Sequence, residues 1–220
     1  MTQSRQTLKY TLLGLSIGLG VLLHSHPLRA DTAEAIFAGG CFWCVESDFE
    51  QVPGVIEAVS GFAGGETQNP TYKEVGRGGT GHLEAVKITF DDTQVSYGDL
   101  LYLFIRSIDP LDNDGQFCDR GESYTPAIFA LDDGQRRAAE AAVAQAAKDL
   151  GRKSIRVPVR SAMPFYPAEA YHQDFYKSQD LILTRFGPQT KATAYKKYRK
   201  ACGRDDRVKR VWGENASFTG

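Results

Sequence analysis

The chain has 220 residues, of which 42% are hydrophobic, and its 26 basic and 27 acidic residues give a formal net charge of −1. This length is sufficient for one domain with a substantial hydrophobic core. The nearly neutral charge balance gives no indication of a nucleic-acid partner or of a generally acidic ligand.

The first thirty residues have the pattern of a secretory signal peptide. Arg5 and Lys9 precede an uncharged apolar run over residues 10–23, which is too short to span a bilayer comfortably. We expect cleavage after Ala30, which would leave a periplasmic or secreted protein without a stable membrane span, in a compartment where disulfides form. Leu28 is large for the third position before that site, so an uncleaved membrane anchor is the alternative.

Hydrophobic periodicity divides the rest of the chain into alternating strands and helices. The predicted strands are residues 35–38, 55–60, 83–90, 127–131 and 155–160, and the predicted helices are residues 42–50, 97–108, 134–150 and 193–201. Residues 61–81 and 109–125 are predicted to be long loops, and loops of this length are often functional. The order strand, helix, strand, which occurs twice, predicts an α+β fold. We expect a ferredoxin-like two-layer sandwich with a mainly antiparallel sheet, helices on one face and an irregular C-terminal tail.

Two segments follow the predicted signal peptide. Residues 31–190 contain all the predicted strands, and we interpret them as a single catalytic domain. Residues 191–220 form a basic C-terminal tail, whose positive charges we interpret as a solvated helical face.

Cys41 is the strongest candidate for a reactive group. It follows the first predicted strand after Gly39 and Gly40, which permit a tight turn, and it precedes a predicted helix. Exposed backbone N–H groups at a helix start favour a thiolate, so we expect Cys41 to be ionised and nucleophilic. A buried structural cysteine or one half of a disulfide is the alternative.

Two other functions are compatible with the cysteine pattern. Cys41 and Cys44 form a C-x-x-C motif, as in disulfide oxidoreductases. The intervening Phe42 and Trp43 argue against that function, because bulky aromatic residues beside a thiol are typical of a pocket for a small apolar group. The third possibility is a secreted metal-binding module that uses Cys41, Cys44 and His82, although we predict neither a metal nor an organic cofactor.

Glu84 is the candidate proton donor. It lies near the start of a predicted strand whose following residues alternate between apolar and polar, so it could border a pocket. A shielded carboxyl group there would have a raised pKa and could donate a proton near neutral pH. An exposed carboxylate at the end of a strand is the alternative.

The segment from Gly39 to Trp43 resembles the signature of the peptide methionine-(S)-sulfoxide reductases. The similarity extends in order from about residue 36 to residue 186. It includes Asn69-Pro70-Thr71-Tyr72, Gly81-His82-Leu83-Glu84, Asp109-Pro110, Gln116, Asp119, residues 124–129 and residues 169–176.

The resemblance implies a role for each matching residue. Cys41 would attack the sulfoxide sulfur and Glu84 would protonate the sulfoxide oxygen. The residues that would bind substrate are Phe42 and Trp43, around the ε-methyl group, and Tyr72, Asp119 and Tyr124, near the oxygen. The implied function is reduction of methionine-(S)-sulfoxide, free or in proteins, as repair after oxidative damage and without a cofactor.

The implied cycle also needs a second thiol. Cys41 would become a sulfenic acid, the second thiol would form a disulfide with it, and a thioredoxin-like reductant would open that disulfide. The candidates are Cys202, Cys44 and Cys118. We prefer Cys202, because a flexible terminus can reach an active site, whereas Cys44 needs helix-terminal geometry to meet Cys41. Cys118 adjoins Asp119 and remains open as a third candidate.

Overall fold

The structure is a computed structural model that describes residues 32–185 and 187–219. The predicted signal peptide, residues 1–30, lies outside the described residues. Among the described residues, no helix has both the length and the apolar composition that crossing a bilayer requires.

Ten strands and six helices follow one another along the described chain. The strands are β1 (Thr32–Ala38), β2 (Val55–Ala63), β3 (Leu83–Asp91), β4 (Gly115–Gln116), β5 (Asp119–Arg120), β6 (Ala127–Ala130), β7 (Val159–Ser161), β8 (Tyr166–Pro167), β9 (Leu181–Thr184) and β10 (Gly187–Thr190). The helices are α1 (Phe42–Phe49), α2 (Tyr72–Arg77), α3 (Tyr97–Ile105), α4 (Asp133–Asp149), α5 (Lys191–Ala201) and α6 (Arg204–Trp212).

The central sheet has six strands in the order β7-β6-β1-β3-β2-β8. All neighbouring strands are antiparallel except β6 and β7, which are parallel. Within this sheet, the units β1-α1-β2 and β3-α3-β6 place their four strands in the order β6-β1-β3-β2, which is the ferredoxin-like arrangement. The prediction of an α+β sandwich with a mainly antiparallel sheet is confirmed.

The main hydrophobic core lies between the sheet and the helices. Successive residues of β1 point to opposite faces, so Ala35 and Phe37 join the core on the helix side, while Ile36 joins a smaller cluster on the other face. Phe37 stacks on Phe104 of α3 with their ring centroids 4.6 Å apart. The helices α1, α3 and α4 all contribute to the core around Phe37, as expected for helices on one face.

The two predicted loops contain more structure than expected. Residues 61–81 include α2, which begins after Thr71 with a capping box formed by Thr71 and Glu74. Six residues are too few for a detectable helical period. Residues 109–125 include the small β4–β5 hairpin. Conversely, the strand expected at residues 155–160 begins only at Val159, because Pro158 has no N–H to donate to a sheet.

The C-terminal segment is more regular than the predicted tail. It forms α5 and α6, and three of its arginines are not on a solvated face: Arg204 is buried, Arg199 donates to Asp48 at 2.7 Å, and Arg207 donates to Asp109 at 2.7 Å. The indole N–H of Trp212 also donates to the backbone oxygen of Ile108 at 3.2 Å. The segment therefore packs on α1 and on the chain around residue 108, next to the turn that carries Cys41.

Candidate active site

A tight turn between β1 and α1 positions Cys41. Gly40 in this turn has φ +82°, and a Cβ atom there would lie 2.5 Å from the Cβ of Gln116. Only glycine fits this conformation and this close contact. Gln116 is itself held in place, because its side-chain amide exchanges two hydrogen bonds of 2.9 Å with the backbone of Asp109. The turn makes Cys41 the residue that immediately precedes α1.

Glu84 lies against the start of the same helix. Its side chain extends from β3 toward α1, and its Oε2 atom accepts a hydrogen bond from the backbone N–H of Phe42 at 2.9 Å. Only 3% of Glu84 is exposed. Burial raises the pKa of Glu84 to about 8, and the hydrogen bond from Phe42 lowers it only in part. Glu84 is therefore mainly protonated at pH 7, as the sequence pattern of a shielded carboxyl group indicated.

The expectation that Cys41 is ionised is wrong for the free enzyme. The pKa of the Cys41 thiol is raised, first by a hydrogen bond to Cys44, then by burial and by the nearby charges of Cys44, Glu84 and Asp119. The first N–H of α1 is occupied by Glu84, so the positive helix end supports the carboxyl group rather than the thiol.

Cys44 has the opposite tendency. The hydrogen bond with Cys41 lowers the pKa of Cys44 against the effect of burial, and the charges of Arg204 and Arg199 lower it further. In the resting site, the Cys41 thiol is therefore the donor and the Cys44 sulfur is the acceptor.

Two phenols and a second carboxyl group surround the reactive pair. Tyr72 and Tyr124 are hydrogen-bonded to each other, and burial followed by the charge of Glu84 raises the pKa of both phenols. Burial also raises the pKa of Asp119. The structure thus brings together the sequence-predicted residues Cys41, Glu84, Tyr72, Tyr124 and Asp119.

Aromatic rings form a wall beside Cys41. Phe42 is buried, with its ring centroid 6.0 Å from that of Tyr72 and 5.2 Å from that of His172. Trp43 stacks on Phe175 with a centroid distance of 3.8 Å. From the sequence we interpret Phe175 and His172 only as core or pocket-wall residues, with no specific role, and the structure places both in this wall.

Some buried polar atoms of this wall are unpaired within the described part of the chain. Neither ring nitrogen of His172 has a hydrogen-bond partner among the described residues, and the same is true of the Trp43 Nε1 atom. Burial lowers the pKa of His172 to about 4, so its imidazole is neutral at pH 7. A neutral imidazole and an indole N–H can bind a polar ligand without adding charge beside the thiol.

A cavity of about 540 Å³ lies next to all four cysteines of the described chain. Cys41, Cys44, Cys118 and Cys202 all line it, together with Trp43, Asp119, His172, Phe175 and Arg204. Cys118 and Cys202 form a disulfide with their Cα atoms 4.9 Å apart, whereas Cys41 and Cys44 are free thiols. We call this space the sulfur cavity. Residues 117–119 and the α5–α6 junction meet there, although they are far apart in sequence.

The structure argues against the metal-binding module but is compatible with the geometry of a C-x-x-C oxidoreductase. His82 does not join the cysteines: its Nδ1 atom accepts from the N–H of Gly65 at 3.2 Å, and its Nε2 atom lies 2.7 Å from the backbone oxygen of Thr67. Both nitrogens therefore hold the preceding loop. The C-x-x-C pair does have helix-terminal geometry, because Cys41 precedes α1 and Cys44 lies in its first turn.

The fold and site define a thiol-dependent oxidoreductase: a thiol, a neutral carboxyl group and a disulfide share one site. Comparisons with known proteins give the family. The model of the family described as "Peptide methionine sulfoxide reductase" matches residues 33–214. The protein named "Peptide methionine sulfoxide reductase MsrA 2" from Rhizobium meliloti is 48% identical over 191 residues, covering 86% of this chain and 89% of the relative. A protein of the same name from Caulobacter vibrioides is 46% identical over 197 residues, covering 89% and 94%.

Solved structures agree with this result. Methionine sulfoxide reductase A of Corynebacterium diphtheriae has a TM-score of 0.57 and 32% identity, covering 70% of this chain and 78% of that chain. Reduced Mxr1 from Saccharomyces cerevisiae has a TM-score of 0.61 and 25% identity, covering 64% and 82%. The chain belongs to the peptide methionine sulfoxide reductase family. It is an oxidoreductase that reduces methionine sulfoxide and so repairs oxidised protein.

The raised pKa of Glu84 predicts a specific pH dependence of stability. A carboxyl group whose pKa rises from 4.5 to about 8 on folding stabilises the folded protein fully below pH 4.5 and loses that contribution as the pH rises through 8. Relative to wild type, we expect the unfolding free energy of Glu84→Gln to increase between these pH values, because glutamine does not titrate, and this gain should level off above pH 8. The amide oxygen of the glutamine still accepts from Phe42.

Urea unfolding between pH 4.5 and 9.5 would measure this difference. Glu46→Gln is the matched control, because burial raises the pKa of Glu46 to about 7 and its gain should level off about one pH unit lower. Parallel stability curves for wild type and Glu84→Gln would contradict the assignment of a buried neutral carboxyl group.

Proposed function

We propose that this enzyme reduces the S epimer of methionine sulfoxide, free or within proteins, with Cys41 as the nucleophile. The Cys41 sulfur attacks the sulfoxide sulfur and forms a bond to it. The oxygen then moves to the Cys41 sulfur, as the bonds from the substrate sulfur to its oxygen and to Cys41 both break. The oxygen leaves on Cys41 as a sulfenic acid and methionine is released, so the two-electron oxidation of Cys41 balances the reduction of the sulfoxide. Glu84 donates a proton to the oxygen, and the proton of the Cys41 thiol replaces it.

One observation carries this proposal: a neutral carboxyl group and the thiol are held at the same helix start. A sulfoxide oxygen is a poor leaving group until it is protonated or strongly hydrogen-bonded. Glu84 supplies the proton, and the phenols of Tyr72 and Tyr124 add donors without placing negative charge near the sulfur. Phe42 and Trp43 offer an apolar surface for the ε-methyl group of the substrate.

A single-turnover assay on the two sulfoxide epimers tests this proposal. We expect the reduced enzyme to release methionine from the S epimer, and Cys41→Ser to abolish that release because serine cannot accept the oxygen. Cys44→Ser should still release methionine, with a loss of about tenfold or less, which corresponds to one lost hydrogen bond of about 1 kcal/mol.

The same pair of variants distinguishes the alternative C-x-x-C oxidoreductase. A disulfide exchanger needs both cysteines for one turnover, so equal inactivation by Cys41→Ser and Cys44→Ser would contradict the proposal. Methionine release from the R epimer at the same rate would refute the stereochemical part alone.

We further propose that Cys202 resolves the sulfenic acid and that Cys118 then takes over the disulfide. The Cys202 thiol displaces water from oxidised Cys41, which forms a disulfide between these two residues. The Cys118 thiolate next attacks the Cys202 sulfur and releases Cys41. The observed Cys118–Cys202 pair is the product of that exchange, and Cys118 is exposed, which suits attack by a thioredoxin-like reductant.

Removal of Cys118 should stop this sequence midway. In Cys118→Ser treated with one equivalent of sulfoxide, we expect methionine release to continue and a Cys41–Cys202 disulfide to accumulate, as detected by peptide mass mapping. A Cys41–Cys44 disulfide in its place would show that Cys44 resolves. Cys202→Ser is the matched variant, and it should accumulate the sulfenic acid.

We propose that the protein is exported to the periplasm or secreted. The basic and apolar pattern of the first thirty residues supports this location. Fractionation of producing cells, followed by N-terminal sequencing, should find the chain outside the cytoplasm and beginning at Asp31. An intact chain in the cytoplasmic fraction would contradict export, and an intact chain in the membrane fraction would support the uncleaved anchor.

A further inference from the structure

Arg204 lies where the segments that carry the four cysteines meet. Its side chain is 2% exposed, although it carries a permanent charge, and it lines the sulfur cavity. Burial of a guanidinium group is costly unless it is paired and hydrogen-bonded, so such an arrangement needs an explanation.

The contacts of Arg204 reach each of these segments. Its Nη1 atom donates to the backbone oxygen of Gly39 at 3.3 Å, in the turn before Cys41. Its Nη2 atom donates to the backbone oxygen of Ser107 at 3.0 Å and lies 3.5 Å from a carboxylate oxygen of Asp48, in the helix that carries Cys44.

The same side chain also links the two partners of the disulfide. The guanidinium carbon of Arg204 lies 4.8 Å from the ring centre of Phe117, the residue before Cys118. Phe117 has φ +55°, a conformation that a bulky residue rarely adopts without support. Arg204 itself is two residues after Cys202. It therefore connects residues 117–118 and 202–204 by contacts that do not depend on the disulfide.

We propose that Arg204 is a positioning residue for disulfide transfer from the Cys41–Cys202 pair to the Cys118–Cys202 pair. This inference rests on the relay proposed above. When an external reductant opens the Cys118–Cys202 bond, the covalent connection between these segments is lost. Arg204 then keeps Cys118 and Cys202 within reach of Cys41 for the next turnover.

Disulfide transfer from Cys41–Cys202 to Cys118–Cys202 is the step on which Arg204 acts. The Cys118 thiolate attacks the Cys202 sulfur, a bond forms between them, the Cys41–Cys202 bond breaks, and Cys41 leaves as a thiolate that then takes up a proton. No net oxidation occurs. The rate depends on the alignment of three sulfur atoms, to which the contacts of Arg204 with the Gly39 backbone and the Phe117 ring contribute.

Other charges around the cavity set the field in which Arg204 acts. Arg199 of α5 pairs with Asp48 of α1 at 2.7 Å and with Asp205 of α6 at 2.8 Å. Other titratable groups that face the thiols are Glu84 on β3, Tyr72 on α2, Asp119 on β5, Tyr124 after β5, and Tyr195 on α5. Asp48 is shared between two arginines, and the charges of both arginines lower the pKa of Cys44. The charge of Arg204 thus acts on Cys44, which is the hydrogen-bond partner of Cys41.

The test compares two rates in the full-length reduced enzyme after one equivalent of sulfoxide. Methionine release reports the first step, and mass mapping after rapid alkylation reports disulfide transfer to Cys118–Cys202. For Arg204→Met, we expect the ratio of transfer rate to release rate to fall at least about tenfold, since small misplacements cost rates of this order. We also expect the pH profile of transfer to shift to higher pH.

Arg204→Lys separates charge from geometry and remains informative if Arg204→Met does not fold. It should keep the pH profile but still transfer slowly, because one ammonium group cannot reach both backbone oxygens as the guanidinium does. Arg207→Met is the matched control: it removes a 2.7 Å ion pair from α6 but no group lining the cavity, so its rate ratio should equal that of wild type.

Two outcomes would overturn the proposal. One is a wild-type rate ratio and pH profile in both Arg204 variants. The other is an equal loss of both rates with an unshifted pH profile, which indicates only a structural role. Failure of the relay itself gives a different result, because Cys118→Ser would then accumulate no Cys41–Cys202 disulfide.

Discussion

The hydrogen bond from the Phe42 N–H to Glu84 is the interaction on which the site depends. It joins the middle of the sheet to the start of α1, and so it places an acid and a thiol at one point. It also occupies the first free N–H of the helix, which would otherwise support a thiolate. Burial raises the pKa of Glu84 far more than this hydrogen bond lowers it. The outcome is a site in which the Glu84 carboxyl group holds its proton and the Cys41 thiol is neutral at rest.

The protonation state of the site suits a substrate that must be activated before it is attacked. A sulfoxide becomes electrophilic at sulfur when its oxygen is hydrogen-bonded, so a resting thiolate is not required in advance. A neutral Cys41 is also less exposed to unwanted oxidation, because the thiolate is the reactive form. Cys44 accepts the hydrogen bond from Cys41 and carries the lower pKa of the pair, under the influence of Arg199 and Arg204.

The C-terminal helices complete the site rather than extend from it. Buried polar contacts of Arg199 and Arg204 connect them to Asp48 and to the turn before Cys41. Their packing brings Cys202 from the end of α5 to Cys118 and encloses the sulfur cavity between them.

Sequence patterns predicted the elements whose signals are local. The glycine turn before Cys41, the alternation after Glu84 and the long apolar helix at α3 indicated the fold and the position of the acid. The Cys118–Cys202 pairing and the burial of Arg204 depend on contacts between segments more than 80 residues apart, which periodicity does not report. Ionisation of Cys41 was misjudged because the hydrogen bond to Cys44 and burial raise its pKa, and because Glu84, 42 residues away in sequence, accepts from the first N–H of the helix.

The most direct test of a neutral Glu84 is a measurement of its protonation as a function of pH. The amide resonance of Phe42 in ¹⁵N-labelled protein reports it, since that N–H is bonded to the carboxyl group, and Glu84→Gln identifies the transition by removing it. We expect the chemical shift of this resonance to change with pH, with a midpoint near pH 8. A midpoint near pH 4.5 would contradict it, because Glu84 would then be ionised at neutral pH and could not supply the proton.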